Sequence, residues 1–289
     1  MSPTIRRLFR GALLLPLCLL IGAPAALAQS SPYETLKRPR VLMHSGASSQ
    51  AAEFPRRAMA KVFTDLNMPV TYIEDFALLT PEVLSQFDVF VNSGSVDAIS
   101  PDEEKAVYDW VEKGGSFLGL HNASAGPAGG PWEKLIGGRF VKHPPPYPMR
   151  VHVTEAGKKS PITKGVEDFV VVDEHHFVTY KFEPAPPNIG PEGPVQTSFW
   201  TTAPHVLFES VSVDNTLDPE VAQYGAFGKD GKTALIGGWA RDIGKGRMVF
   251  MAPGHMIEVM QHPMMQKLYR NAMLWLAHED EAGAAPRRP

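Results

Sequence analysis

Ser100-Pro101-Asp102-Glu103 and, one helix later, Gly114-Gly115-Ser116-Phe117-Leu118-Gly119-Leu120-His121 together decide the fold. Ser100 and Glu103 have the spacing of a capping box, and Pro101 takes the first helical position, where a missing N–H costs nothing. Val107, Trp110 and Val111 recur at i, i+3 and i+4, so one helix face is apolar. Gly114-Gly115 ends that helix, because glycine accepts the conformation that a helix end requires. Residues 116–120 then read as a buried strand, with His121 at its carboxyl end.

The same alternation extends upstream. Residues 40–44 read as a strand, Met59, Val62, Phe63 and Leu66 as one face of a helix, and residues 69–73 as a second strand. Thr80-Pro81 opens a short helix before a third apolar strand at 87–91. Strands alternating with helices imply parallel strands with right-handed crossovers. The expected fold class is α/β: a flavodoxin-like three-layer sandwich with a mostly parallel sheet and extra antiparallel strands in the C-terminal half. Downstream, residues 121–148 are rich in glycine and proline, with a short helix expected near 132–136. Further strands are expected at 149–154, 170–172, 205–209, 233–239 and 247–251, and a proline-rich loop at 183–194. Gly244-Lys245-Gly246-Arg247 lies between two strands and reads as a hairpin turn. Pro263 starts a last helix whose inner face is Leu268, Ala272, Trp275 and Leu276.

The 289 residues open on a targeting segment. Arg6, Arg7 and Arg10 precede a short apolar run, and Ala26-Leu27-Ala28 supplies a small-x-small cleavage pattern. The expected organisation is a signal peptide over 1–28, a polar arm over 29–37, one domain over 38–278 and a disordered tail over 279–289. Cleavage after Ala28 implies a periplasmic or secreted protein, with no membrane association afterwards, since the apolar run is too short to span. Two other export readings stay open. Arg6-Arg7-Leu8-Phe9 partly resembles a twin-arginine signal, although Arg10 stands where an apolar residue is usual; Cys18 suggests a lipoprotein site, although Leu17 before it is large. Removing the leader takes away three arginines and moves the net charge from −3 to −6, which argues against nucleic acid as a partner. It also removes the single cysteine, so the mature chain has neither a disulfide nor a thiol nucleophile.

Polar side chains gather just past expected strand ends: His44, His121, the run Asp173-Glu174-His175-His176, and His255 after Pro253-Gly254. In open α/β sheets ligands bind at the carboxyl ends of parallel strands. Imidazoles and carboxylates gathered there suit proton transfer or metal ligation. The catalytic candidates are His121, Glu174 and His255. His44, His121 and His255 are the candidate ligands of a divalent metal, zinc or similar. His176 is preferred to His175 on the expectation that both lie in a strand and His176 shares a face with Glu174. His44, Trp132, His143, His176 and Trp239 are the candidate substrate-binding residues, the tryptophans as platforms for sugar rings. For each an ordinary packing role is the competing reading; Trp110 and Trp275 read as core. No glycine cluster has P-loop spacing followed by a helix, so no nucleotide cofactor is expected.

Several segments taken together resemble the ThuA-like (trehalose-utilisation) family. They are Phe87-Asp88-Val89; Gly114 through His121; Trp132 with Leu135 through Phe140; His143-Pro144; Ser160 through Gly165; Asp173-Glu174; and Trp239 with Gly244 through Phe250 and Gly254-His255. Individually these are weak, but their order and spacing are specific. The resemblance implies a class I glutamine amidotransferase-like fold and a link to disaccharides, glucosides or keto-glucosides. It implies a small-molecule carbohydrate as partner. That scaffold carries a cysteine after its fourth strand, where this sequence has His121, so amidotransferase chemistry is not expected. The expected activity is hydrolysis, elimination or isomerisation of a carbohydrate by acid–base or metal-assisted chemistry. The competing reading is a non-catalytic periplasmic sugar-binding module.

Overall fold

Strand β1 (Val41–His44) leads into helix α1 (Glu53–Asp65), and β2 (Val70–Ile73) follows. Short helix α2 (Pro81–Leu84), capped by the Thr80 hydroxyl, precedes β3 (Val89–Asn92). Helix α3 (Pro101–Lys113) has the full capping box: Ser100 accepts from the Glu103 N–H, and Glu103 accepts from the Ser100 N–H. Gly114, at φ 131°, ends it and turns the chain into β4 (Ser116–Leu120). The computed structural model describes residues 38–46, 52–174, 176–180, 205–213, 226–227 and 233–279. The expected leader and arm, the proline-rich loop, His175, Trp200 and the tail beyond residue 279 lie outside the described residues.

The second half adds α4 (Pro131–Ile136), β5 (Gly138–Lys142), β6 (Tyr147–Val153), β7 (Phe169–Asp173), β8 (Phe177–Tyr180), β9 (His205–Ser212) and β10 (Ala226–Phe227). Then come β11 (Thr233–Ile243), β12 (Gly246–Met251), α5 (Ile257–Gln261) and α6 (Pro263–Leu276). Ten strands form one sheet in the order β2-β1-β3-β4-β12-β11-β9-β6-β7, with β10 beside β11; β5 and β8 pair separately. From β2 to β12 every pairing is parallel, and from β12 to β7 every pairing is antiparallel. The fold is thus the expected mixed α/β sheet, parallel in its N-terminal half. Gly244, at φ 58°, makes the β11–β12 hairpin turn.

The central strands are buried on both faces, as parallel strands between helices must be. Val41, Met43, Leu118, Leu120, Val249 and Met251 pack into one core with residues of α1, α5 and α6. The alternate residues Leu42, Phe117, Met248 and Phe250 pack into the other, with α3 and α4. The helices on either face and the sheet between them are the three layers. Among the described residues no helix is long and apolar enough to cross a membrane.

Candidate functional site

Strand direction fixes where the site lies. β4 and β12 are parallel neighbours, so the residues after them, His121 and His255, leave the sheet on one edge. Glu174 was expected to follow a strand of the same parallel region, but β7 lies in the antiparallel half. Four successive reversals separate it from β12, an even number, so β7 still runs in the direction of β12 and opens on the same edge. His121, Glu174 and His255 come together there, each offering one ligand atom, and these atoms lie within 4.8 Å of one another.

His121 begins the turn after β4 at φ 41°, a left-handed conformation that a non-glycine residue rarely adopts. It is buried, and its Nδ1 lies 2.6 Å from the Ala252 carbonyl oxygen. A carbonyl only accepts, so Nδ1 carries the hydrogen and the neutral ring has its lone pair on Nε2. The ring packs 3.7 Å, centroid to centroid, from that of His176 and meets the His255 ring edge-on at 5.3 Å. Glu174 Oε2 lies 3.1 Å from His255 Nδ1 and 3.4 Å from His143 Nδ1.

His176 is also brought in, though for a different reason than expected. It lies in the short connection between β7 and β8 rather than in a strand. Its Nδ1 is 3.3 Å from Ser124 Oγ, and that hydroxyl donates its only hydrogen to the His121 carbonyl, at 3.1 Å. The hydroxyl therefore accepts from His176, whose Nδ1 carries hydrogen as well. His143 is partly exposed and stacks at 5.7 Å on His176, with Phe140 against both rings.

Beneath this cluster lies Asp173. Its Oδ2 accepts from Gly254 N–H at 2.6 Å, and its Oδ1 accepts from His255 and Met256 N–H, both at 3.2 Å. Burial pushes its carboxyl up to about 7, against the pull of those N–H groups. Burial also raises the hydroxyls of Tyr147 and Tyr269, and the Asp173 charge adds to the shift of each.

Three expected site residues are placed elsewhere. His44 is not part of the cluster and does not join its candidate ligands. In register, His44 pairs with Asn92 and Asn92 with Gly119, so two strand spacings, about 10 Å, separate His44 from β4. Its Nδ1 instead lies 2.7 Å from Asn92 Oδ1, its ring rests on Phe76, and burial holds its pKa below the ordinary value. Trp132 and Trp239 are core residues, 1% and 0% exposed. Their indole N–H groups donate to the carbonyls of Ala123 and Ile136, so neither ring presents a face to a sugar. Both tryptophans sit beside loops in the sequence, and loop position alone did not reveal that the rings turn inward. Reading from the sequence missed Ser124 and Phe140 at the site and gave Asp173 no structural task. A serine three residues past His121, in a turn that starts with a histidine, was the available signal for the first.

A profile of the trehalose-utilisation (ThuA) family matches residues 40–276. No curated protein matches the sequence. Among solved structures, a ThuA-like protein from Bacteroides uniformis ATCC 8492 superposes with a TM-score of 0.60 at 20% identity, over 91% of this chain and 99% of that one. A ThuA-like protein from Parabacteroides merdae ATCC 43184 gives 0.59 at 12% identity, over 87% and 93%. A cytoplasmic protein from Salmonella typhimurium LT2 gives 0.53 at 12% identity, over 82% and 99%. At such identities the structural likeness speaks for the fold alone. The profile match spans most of the sequence, and on that ground the chain belongs to the trehalose-utilisation (ThuA) family.

Proposed function

We propose that this protein acts on a carbohydrate, a disaccharide, glucoside or keto-glucoside, by metal-assisted acid–base chemistry at His121, Glu174 and His255. The family fits carbohydrate utilisation in general. The observation that carries the reading is the convergence of two imidazoles and one carboxylate to within 4.8 Å from three separate parts of the chain. Ligands about 2.0–2.2 Å from a tetrahedral zinc stand about 3.3–3.6 Å apart, so small side-chain movements would complete the geometry. Two histidines and a glutamate are a known ligand set of catalytic zinc, and it leaves a position open. His121 is oriented as a metal-binding histidine usually is, with its other ring nitrogen donating to a backbone carbonyl.

When bound, a divalent cation would supply a Lewis acid that polarises a sugar carbonyl or hydroxyl. The chain's own groups handle the proton. Glu174 receives it from a substrate hydroxyl, or from the carbon beside a keto group. His143, 3.4 Å from Glu174 Oε2 and outside the candidate ligand set, relays it. The binding-module reading relied on tryptophans as sugar platforms and on the glycine-rich loops; with Trp132 and Trp239 in the core, the first of these has less support.

Metal analysis of the purified protein, followed by assays on glucosides and keto-glucosides, tests this. We expect close to one divalent ion per chain, lost in E174Q and H121N, with turnover lowered by about 100-fold or more. Asparagine tolerates the left-handed backbone at position 121, so that variant reads chemistry rather than strain. A metal-free wild type with no turnover would sink the proposal. We also propose export with cleavage between Ala28 and Gln29. Mass spectrometry of the mature protein should begin at Gln29, and a mature chain retaining a lipid-bearing Cys18 would overturn it.

A further inference from the structure

The segment after β12 touches every member of the candidate cluster. Its Ala252 carbonyl orients His121, and its His255 side chain meets Glu174. Its three consecutive N–H groups, at Gly254, His255 and Met256, converge on the Asp173 carboxylate. Asp173 is fully buried and immediately precedes Glu174. We infer that Asp173 is the positioning residue of the site: it sets the separation of Glu174 from His255 by clamping the backbone that carries one to the backbone that carries the other.

The geometry gives three reasons. First, both carboxylate oxygens accept from backbone N–H groups of the segment after β12, and Asp173 is not among the grouped ligand atoms. Second, only an acceptor with two oxygens serves this place. Asparagine keeps one oxygen and sets an NH2 group against N–H donors, and each buried group left without a partner costs about 1–3 kcal/mol. Third, the receiving backbone is shaped for the clamp. Gly254 has φ 148°, which an L side chain adopts only with strain, and its N–H is the first of the three that reach Asp173. Without the clamp, β7 and the segment after β12 share no ladder, since they lie four strand positions apart in the sheet. The inference rests on the proposed site, but not on that site holding a metal.

The test uses D173N and, as a control, V249A, which opens a cavity in central strand β12 without touching the clamp. The first readout needs no metal. In the wild type, the edge-on His121 and His255 rings should give a nuclear Overhauser effect between their ring protons. We expect D173N to fold, to lose that signal and to lose amide exchange protection at residues 254–256, while V249A keeps both. Should D173N fail to fold, D173S, which retains a hydroxyl acceptor, is read the same way. The second readout is zinc affinity, expected to fall 10–100-fold in the Asp173 variant and to stay unchanged in V249A. A folded Asp173 variant that keeps the His121–His255 signal overturns the inference, and so does a V249A protein that loses it equally. A wild type that gives the signal yet takes up no zinc removes the metal from the proposed function and leaves the positioning role standing on the first readout.

Discussion

His121 and His44 are both buried histidines at the carboxyl ends of central strands, and their surroundings give them opposite tasks. His121 has a left-handed backbone that lifts it out of β4, and a carbonyl partner that makes Nε2 the nitrogen bearing the lone pair. His44 continues β1 without such a turn and is held by Asn92 against Phe76. Desolvation keeps His44 neutral in the fold, with its pKa lowered from 6.5, although the Asn92 bond and the Glu74 carbonyl oppose the shift. The unfolded chain binds a proton at this residue below about pH 6.5 and the folded chain does not, so the His44 contribution to stability must fall as pH drops through that value. The slope is at most about 1.4 kcal/mol per pH unit for one group. Urea unfolding between pH 7.5 and 5 should show H44L losing less stability on acidification than the wild type. Equal losses would mean that His44 protonates as readily in the fold as in the unfolded chain. The sequence placed both histidines correctly at strand ends. Among what separates them, the carbonyl partner of one and the amide partner from β3 of the other lie 131 and 48 positions away.

Elements whose signals are local were legible in advance. The Ser100 capping box, the proline starts at 81, 101 and 263, and the apolar face of α3 are all local signals. They appear where the residues called for them. Strands β5 and β8 were not foreseen, because they pair only with each other and show no sustained apolar run. The sheet order of the C-terminal half was equally out of reach. Nothing local to β6, β7 or β9 states that β6 lies between the other two. The expected convergence of His121, Glu174 and His255 was reached from the assumption of one parallel region. It holds for β7 because an even number of antiparallel steps restores the direction of β12. With one strand fewer between them, Glu174 would leave the sheet on the opposite edge. The binding tryptophans failed at this same scale: Trp132 on α4 and Trp239 on β11 are positioned by the core against which those elements pack.

For the molecule as a whole, the three candidate ligands are separated by more than fifty residues along the chain at each step, so their assembly requires the finished sheet. The unfolded chain offers no comparable site, and a cation that binds there must stabilise the fold by mass action. At free zinc one hundred times its dissociation constant, the gain is about 2.7 kcal/mol. For a domain near 240 residues, each kcal/mol moves the midpoint by about 2–4 °C, so zinc should raise Tm by about 5–10 °C. The rise should grow with the logarithm of zinc concentration and be reversed by a chelator. E174Q should abolish it, since an amide is a much poorer metal ligand than a carboxylate. H44L should retain it in full, since His44 lies about two strand spacings from the cluster. Calorimetry of these three proteins across a zinc titration decides the matter: a shift that survives in E174Q, or that disappears in H44L, places the cation away from His121, Glu174 and His255.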